Sequence, residues 1–200
     1  MKVAGIPALD AWIKDDSKLG NPTLEVKVKV TNDPSLIKVL AWSKEVNQRV
    51  ADMVSNVPPF PMVRESLQKI RAKADVIVVS QTPIEALERE WKEHKIDSLV
   101  NCIAGQEAGT KSEHILFAAG GRYAPEKMLK IGDAPGDLKA ARDNNALYFP
   151  IIPGREEQSW KHFYEEGSEK FFNGTFAGGF QQELLQEFNA ALPDKAPWQK

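Results

Sequence analysis

Two carboxylates stand at the end of a short apolar segment, where they are well placed to bind a metal ion. Asp133 follows the predicted strand 128–131, and Asp137 begins an amphipathic segment over 138–144. Mg²⁺ is held by carboxylate oxygens in proteins, and open α/β sheets bind ligands at the carboxyl ends of their parallel strands. The stretch therefore predicts a Mg²⁺ site with Asp133 and Asp137 as the metal ligands.

Polar side chains also follow two other predicted strands. A hydroxyl-rich turn ends the strand 75–80, and a lysine lies in the loop after the strand 99–104. A hydroxyl donates a hydrogen bond to a phosphoryl oxygen, a lysine offsets its charge, and bound Mg²⁺ clamps another oxygen. We therefore expect a phosphate site at this edge of the sheet. The residues expected to bind the substrate are Ser80, Gln81, Thr82 and Lys111.

An alternation of predicted strands and helices over residues 57–154 sets these positions. Segment 75–80 is a near-continuous apolar run, which is typical of a strand buried on both faces of a parallel sheet. Helices are predicted between successive strands, and this order gives a parallel sheet with right-handed crossovers. The predicted fold class is therefore α/β, with a Rossmann-like parallel sheet and helices on both faces. The predicted strands are 75–80, 99–104, 128–131 and 147–152.

Helical segments flank this core on both sides. Residues 34–54 carry an apolar stripe at helical spacing, with Asn32 or Asp33 as the cap. A shorter helix is predicted over 7–14, while 24–30 alternates apolar and charged residues and stays open between strand and helix. The predicted divisions are a helical region over 1–56, an α/β core over 57–154 and an aromatic-rich, C-terminal helical extension over 155–200.

The composition excludes several classes of function. The 200 residues carry a net charge of −2 and no basic stripe, so nothing predicts nucleic-acid binding. No apolar run is long enough to span a bilayer, and the N-terminus lacks the apolar segment of a secretory signal. We therefore expect a cytoplasmic protein. The single cysteine, Cys102, is expected to be a small buried residue, and His94, His114 and His162 are expected at the surface or its boundary.

The order and spacing of the polar motifs resemble those of the haloacid dehalogenase (HAD) superfamily of phosphohydrolases. The second motif of that superfamily is an apolar strand ending in Ser or Thr, here Ser80. The third is a lysine at the start of a helix, here Lys111. The fourth is an apolar strand followed by GDxxxD, here Asp133 and Asp137. The resemblance covers roughly residues 57–154.

This resemblance implies a function and a role for each residue. It implies Mg²⁺-dependent hydrolysis of a phosphomonoester, a small phosphorylated metabolite, through an aspartyl phosphate. Ser80 would bind the transferring phosphoryl group, and Lys111 would steady its charge and that of the nucleophile. Asp133 would ligate Mg²⁺, and Asp137 would do so directly or through water. Residues 1–56 would form a helical cap, or its remnant, that covers the site and selects the substrate.

The sequence departs from this superfamily in its first motif, an apolar strand followed by Asp-x-Asp. No two aspartates of the chain are separated by a single residue, and Asp15-Asp16 follows a segment that poorly imitates a buried strand. Because covalent catalysis needs its nucleophile, we expect this chain to be inactive. The resemblance also places the missing strand between those that end at Ser80 and Asp133. Its loss would leave a gap of roughly 10 Å between the neighbouring strands.

Three sources for the missing strand are considered. We hypothesise that the native chain once continued upstream of Met1, which would make Met1 an internal methionine or a misassigned start. Alternatively, another chain fills the slot and an oligomer results, or a rearranged segment such as 24–30 fills it. The oligomeric state and the identity of the substrate stay undetermined by the sequence.

Each site residue also has a purely structural interpretation. Asp133 and Asp137 suit the N-terminus of a helix, Ser80 suits a turn and Lys111 suits the solvent. Two other functions therefore stay open. The first is a non-catalytic phosphate- or nucleotide-binding protein on the same fold, and the second is a structural or interaction protein whose outer helices carry its function.

Overall fold

The computed structural model describes residues 5–16 and 19–192, and the chain divides into two compact units. The N-terminal unit spans residues 1–57 and the C-terminal unit spans residues 58–200. Met1 and the last eight residues of the predicted extension lie outside the described residues. Within the described ranges, no helix combines the length and the apolar character needed to cross a membrane.

The described residues of the N-terminal unit form three helices around a small core. Asp33 caps the third helix, since its Oδ1 accepts hydrogen bonds from the backbone N–H groups of Ser35 at 2.8 Å and Leu36 at 3.1 Å. The core contains Trp12, Leu24 and Leu36, each almost fully buried. The helices are α1 (Pro7–Asp15), α2 (Asn21–Thr31) and α3 (Pro34–Met53).

Segment 24–30, which the sequence leaves open between strand and helix, is helical. It lies within α2, which has a proline in its first turn and is followed by Asn32, its C-cap, in the left-handed conformation. Leu24 is buried, whereas Val26 and Val30 are 62% and 78% exposed. The valine–lysine alternation therefore places apolar side chains on the surface of a helix. The hypothesis that this segment supplies the missing strand is wrong.

The C-terminal unit alternates strands and helices and then ends in helices. The strands are β1 (Ile77–Val79), β2 (Cys102–Ala104), β3 (Leu129–Gly132) and β4 (Leu147–Pro150). The helices are α4 (Val63–Arg71), α5 (Ile84–Glu93), α6 (Lys111–Ala119), α7 (Pro135–Asp143), α8 (Glu156–His162), α9 (Ser168–Phe172) and α10 (Gly179–Ala191). A π-helical turn, Phe163–Gly167, joins α8 to α9. The α/β fold class predicted from the sequence is confirmed.

The strands form two parallel pairs. β1 pairs with β2 in the register Ile77 to Cys102, and β3 pairs with β4 in the register Leu129 to Leu147. In the described part of the chain, no strand pairs with the other edge of β1 or of β3. Helix α6 contacts β1, α7 contacts β3, and these two helices contact each other. The two strands that have an unpaired edge therefore each contact one member of a packed pair of helices.

The core of the C-terminal unit is largest around β4. Tyr148 and Phe149 of this strand are 2% and 0% exposed, and the rings of Phe163 and Phe176 pack around Phe149. The residues of β1 and β3 are only half-buried. Strands at the centre of a complete parallel sheet are covered on both faces and both edges, so this exposure agrees with the unpaired edges.

Two burial predictions are wrong. Cys102 is exposed, because it begins β2, which pairs only with β1 among the described strands and leaves its outer side open. His114 is 4% exposed, because it lies on the face of α6 that also carries the buried Ile115. An apolar run in the sequence does not reveal an edge position, and a single histidine does not reveal the face of its helix.

Candidate phosphate and metal site

The loops after β1 and β2 are joined to each other. Ser80 follows β1 in a turn, in which its Oγ accepts a hydrogen bond from the Thr82 backbone N–H at 3.1 Å. The Gln81 side chain donates to the Gly109 carbonyl at 2.9 Å, and the Gln106 N–H donates to the Thr82 carbonyl at 3.0 Å. These bonds hold the hydroxyl-rich turn 80–82 beside the loop that leads into α6.

Lys111 is positioned by the start of α6. Thr110 and Glu113 form a capping box, in which Thr110 Oγ1 accepts from the Glu113 N–H at 3.2 Å and Glu113 accepts from the Thr110 N–H at 2.7 Å. Lys111 is therefore fixed as the first residue of the helix. Its Nζ lies 2.8 Å from Asp137 Oδ1 and its side chain is 25% exposed.

Asp137 lies between two lysines at the start of α7. Its side chain is 3% exposed, and its Oδ1 is also 3.1 Å from Nζ of Lys130 in β3. Its Oδ2 accepts a hydrogen bond from the Ala134 N–H at 3.3 Å. Gly132 permits this arrangement, because a Cβ at that position would lie 2.5 Å from Asp137 Cγ. Both carboxylate oxygens thus have partners within the chain.

Burial and the opposite charge of the ion-pair partner shift the pKa values of Asp137 and Lys130 in opposite directions. Burial raises the pKa of the Asp137 carboxyl, but the neighbouring Lys130 and Lys111 outweigh burial and hold the pKa below its ordinary value. Burial lowers the pKa of the Lys130 ammonium, and the positive charge of Lys111 lowers it further, against the opposing effect of Asp137. Asp137, Lys111 and Lys130 therefore form a largely buried ionic cluster, and removal of any one of them would leave a charge without its partner.

Asp133 differs from Asp137 in its surroundings. It is exposed, and no hydrogen bond or ion pair in the described ranges engages its carboxylate. Its negative charge favours the protonated form of Lys130 and raises the pKa of the Tyr148 phenol, to which burial and then Asp137 contribute more. Tyr148 Oη donates to the Gly132 carbonyl at 2.8 Å and so fixes the backbone just before Asp133.

Of the two predicted metal ligands, Asp133 and Asp137, only Asp133 fits a Mg²⁺ ion directly. Mg²⁺ commonly binds through one or two carboxylates together with waters and substrate phosphate, and Asp133 offers an exposed carboxylate of this kind. Residues 5–16 and 19–192 contain no group of three or more His, Cys, Asp and Glu side chains arranged to hold a metal ion. Asp137, with both oxygens occupied, is suited first to holding the two lysines.

Sequence reasoning missed two polar residues of this region and misplaced a third. Lys130 interrupts a short apolar strand, and a charged residue in such a strand is the signal that points to a buried partner. Tyr148 lies in an equally apolar strand. His114 is buried, and neither of its ring nitrogens makes a hydrogen bond of standard geometry with any residue that the structure describes. Burial lowers the pKa of its imidazole, against the opposing charge of Glu113. The Gly105 carbonyl lies near enough to favour the protonated ring.

The structure brings together part of the predicted site. Lys111 and Asp137 are in direct contact, and Asp133 adjoins them. Ser80, Gln81 and Thr82 bond with each other and with the loops after β2, so their convergence with Lys111 on one phosphate stays a prediction. A separate cavity of about 200 Å³ is lined by β4, α8 and α10, including Arg155, and contains none of the predicted site residues.

Comparison with known families assigns the chain. A model described as haloacid dehalogenase-like hydrolase matches residues 11–149, which include the turn after β1, Lys111 and the GDxxxD segment. Neither the curated proteins nor the solved structures give a match. The match covers more than half of the sequence and agrees with the parallel strands and the polar residues at their carboxyl ends. The chain therefore belongs to the haloacid dehalogenase-like hydrolase family.

Proposed function

We propose that this chain carries the phosphate-binding half of a Mg²⁺-dependent phosphomonoester hydrolase site, acting on a small phosphorylated metabolite. The observation that supports this best is the pairing of Lys111 with Asp137 at 2.8 Å beside the exposed carboxylate of Asp133. A fixed ammonium and an exposed carboxylate near the ends of parallel strands suit a phosphate dianion and its metal ion. We retain the cytoplasm as the proposed location.

The described side chains have distinct roles in this proposal. Lys111, held by Asp137, lies ready to offset the charge of a phosphoryl oxygen. Ser80, with Gln81 and Thr82, binds a second oxygen through its hydroxyl or through backbone N–H groups. Asp133 is the proposed metal ligand, and Asp137 is a second one only through water or rearrangement. Mg²⁺ bound there would withdraw charge from the phosphoryl group.

We further propose that this chain alone binds phosphate without hydrolysing a phosphomonoester. No Asp-x-Asp pair is present in the sequence, and covalent phosphoryl transfer needs a nucleophile. The unpaired edges of β1 and β3 are where a further parallel strand would add, and such a strand would end beside Ser80 and Asp133. The absence of Asp-x-Asp from this sequence also favours the alternative function, a phosphate- or nucleotide-binding protein without catalysis.

Phosphate binding and hydrolysis are measured separately to test these proposals. Inorganic phosphate is titrated into the full chain with and without Mg²⁺, and p-nitrophenyl phosphate is the hydrolysis probe. We expect Mg²⁺-enhanced phosphate binding without turnover. Lys111→Met should weaken phosphate binding at least about tenfold, because a charge-assisted hydrogen bond is lost. Asp133→Asn should remove the effect of Mg²⁺.

Lys139→Met is the matched control, because Lys139 is an exposed lysine that pairs with Asp143 on the outer side of α7. Absence of phosphate binding would contradict both the hydrolase site and the binding protein. Hydrolysis that depends on Asp133 would contradict the proposed inactivity. An added N-terminal strand carrying Asp-x-Asp should yield turnover if the site is catalytic in type, whereas binding without turnover would favour the binding protein.

A further inference from the structure

Helix α3 extends well beyond the core of its own unit. Leu36 near its start is 1% exposed. From Lys44 to Met53, every side chain that the structure describes is exposed. Trp42 is 66% exposed and Met53 is 73% exposed. The second half of this 20-residue helix is therefore held by its own backbone hydrogen bonds rather than by packing.

Four of the five exposed large apolar residues that the structure describes in α3 lie along one line, and the half-buried Val39 extends this line toward the start of the helix. Successive members are separated by three, four, four and three residues. At 3.6 residues per turn, this spacing keeps them within a sector of roughly 80°. Alternating steps of three and four residues are the pattern by which one helix packs against another. We call this line the α3 seam; its members are Val39, Trp42, Val46, Val50 and Met53.

A groove continues the seam at the start of α3. It has a volume of about 410 Å³ and a largely apolar lining contributed by α1 and α3. Val39 and Trp42 belong to both the seam and the groove. The seam therefore has an apolar depression at one end and a protruding methionine, Met53, at the other. The lining residues are Ile6, Leu9, Ser35, Lys38, Val39 and Trp42.

Charged residues border the seam on one side only. Along the chain they are Lys38, Glu45, Arg49 and Asp52, which alternate positive and negative. In a second helix that runs in the opposite direction, the same four residues present their charges in the order negative, positive, negative, positive. Each charge of this border would therefore face an opposite charge of an antiparallel copy. The other border carries uncharged side chains such as Ser43 and Asn47. A parallel partner would bring unlike borders together and form no charge pairs.

We propose that α3 docks antiparallel against α3 of a second copy of this chain, about a twofold axis near Val46. Met53 of one copy then lies opposite Val39 of the other and enters the groove. Trp42 lies opposite Val50 of the second copy, and Lys38 lies opposite Asp52. The same patch serves both copies, which is the rule for twofold interfaces. This proposal is independent of the phosphate site.

Sedimentation equilibrium of the full chain over a range of concentrations tests the interface. We expect a monomer–dimer equilibrium that Val46→Glu weakens at least roughly 100-fold, because it places two like charges at the twofold axis. Ile37→Glu is the matched control, because Ile37 is 41% exposed and lies on the opposite side of α3. Far-ultraviolet circular dichroism checks that each variant keeps its helices.

A charge exchange tests the antiparallel direction. Lys38→Glu and Asp52→Lys should each weaken the dimer, and the double variant should restore most of the affinity, because the pair is rebuilt with its signs reversed. Weakening without restoration would overturn the antiparallel register.

Three other outcomes would overturn the proposal altogether. The first is a monomer at every concentration. The second is equal weakening by Val46→Glu and Ile37→Glu. The third is a monomer in which oxidative footprinting finds Trp42 protected, since the seam would then be covered by another part of the same chain.

Discussion

Among the described residues, the N-terminal unit buries three core side chains, Trp12, Leu24 and Leu36, whereas the C-terminal unit buries seventeen. The large apolar side chains that stay exposed show the reverse distribution. Twelve lie in the N-terminal unit and four in the C-terminal unit. The N-terminal unit therefore places most of its large apolar side chains on its surface, where they are available for contacts beyond its own three helices.

The size of each unit explains part of this contrast. A folded segment of about 60 residues buries a smaller fraction of its surface than one more than twice as long. Three helices joined by short connections can also turn only one side of each helix inward. In the C-terminal unit, paired strands covered by helices bury residues such as Phe149 on several sides. The comparison predicts that the two units respond differently to substitution.

The largest expected effects come from truncating one core residue in each unit. Phe149→Ala should lower the free energy of unfolding of the C-terminal unit by about 3–5 kcal/mol, and Leu36→Ala should lower that of the N-terminal unit by about 2–5 kcal/mol. Hydrogen exchange followed by mass spectrometry measures the two units separately. A uniform loss of protection along the whole chain in either variant would contradict the prediction that the two units respond separately to substitution.

Removing the charge of Asp137 should be nearly as costly. Asp137→Asn leaves Lys111 and Lys130 without their shared anion, and loss of one partner of a buried ion pair costs about 3–5 kcal/mol. Chemical denaturation of the C-terminal unit measures this cost. Asp143→Asn is the control, because its ion pair with Lys139 is at the surface and its loss should have little effect. Similar unfolding midpoints for the two variants would contradict a buried cluster.

The same cluster predicts a pH dependence of stability. The folded pKa of Asp137 lies below its ordinary value, so its ionised form stabilises the fold fully above the unfolded pKa of about 3.9. This contribution is lost as the pH falls through the folded pKa. The stability difference between the native chain and Asp137→Asn should therefore be constant above about pH 5 and shrink below pH ~4. A difference that is unchanged down to strongly acidic pH would contradict this assignment.

A smaller effect is expected from Gly132→Ala. The added Cβ would lie 2.5 Å from Asp137 Cβ, and overpacking of this kind costs about 1–3 kcal/mol. Gly136→Ala is the control, because a Cβ there meets nothing within 4 Å. We expect thermal unfolding of the first variant at lower temperature and little change or slight stabilisation in the second. Equal shifts would show that the close approach at Gly132 is unimportant.

The smallest expected effect belongs to the N-terminal unit. Asp33→Ala removes the acceptor of two backbone N–H groups at the start of α3 and should cost about 1 kcal/mol. Asp33→Asn should cost much less, because asparagine caps helices equally well. Hydrogen exchange in the first turn of α3 distinguishes the two variants. If the Asn variant were as unstable as the Ala variant, the stabilisation of α3 would come from the negative charge of Asp33 rather than from its capping hydrogen bonds.

Local signals in the sequence determined the order of the elements and the family. Aspartate and proline at 33–34 predicted the start of α3, and the motif that places Lys111 at the start of a helix agrees with the start of α6. GDxxxD placed Asp133 and Asp137 at the end of β3 and the start of α7. These features depend on neighbours within a few residues, so the sequence alone reveals them.

Only the tertiary structure decided which charges meet. Lys130 reaches Asp137 through the approach of β3 to α7, and Lys111 arrives from a third element, 26 residues away from Asp137 along the chain. The exposure of Cys102 and the burial of His114 likewise follow from strand pairing and helix orientation. Periodicity predicts that a residue lies on a helix or strand, but long-range packing decides what covers it. For this reason the motif and, through the family resemblance, the unpaired edges of β1 and β3 were predictable from the sequence, whereas the ion pairs that occupy Asp137 were not.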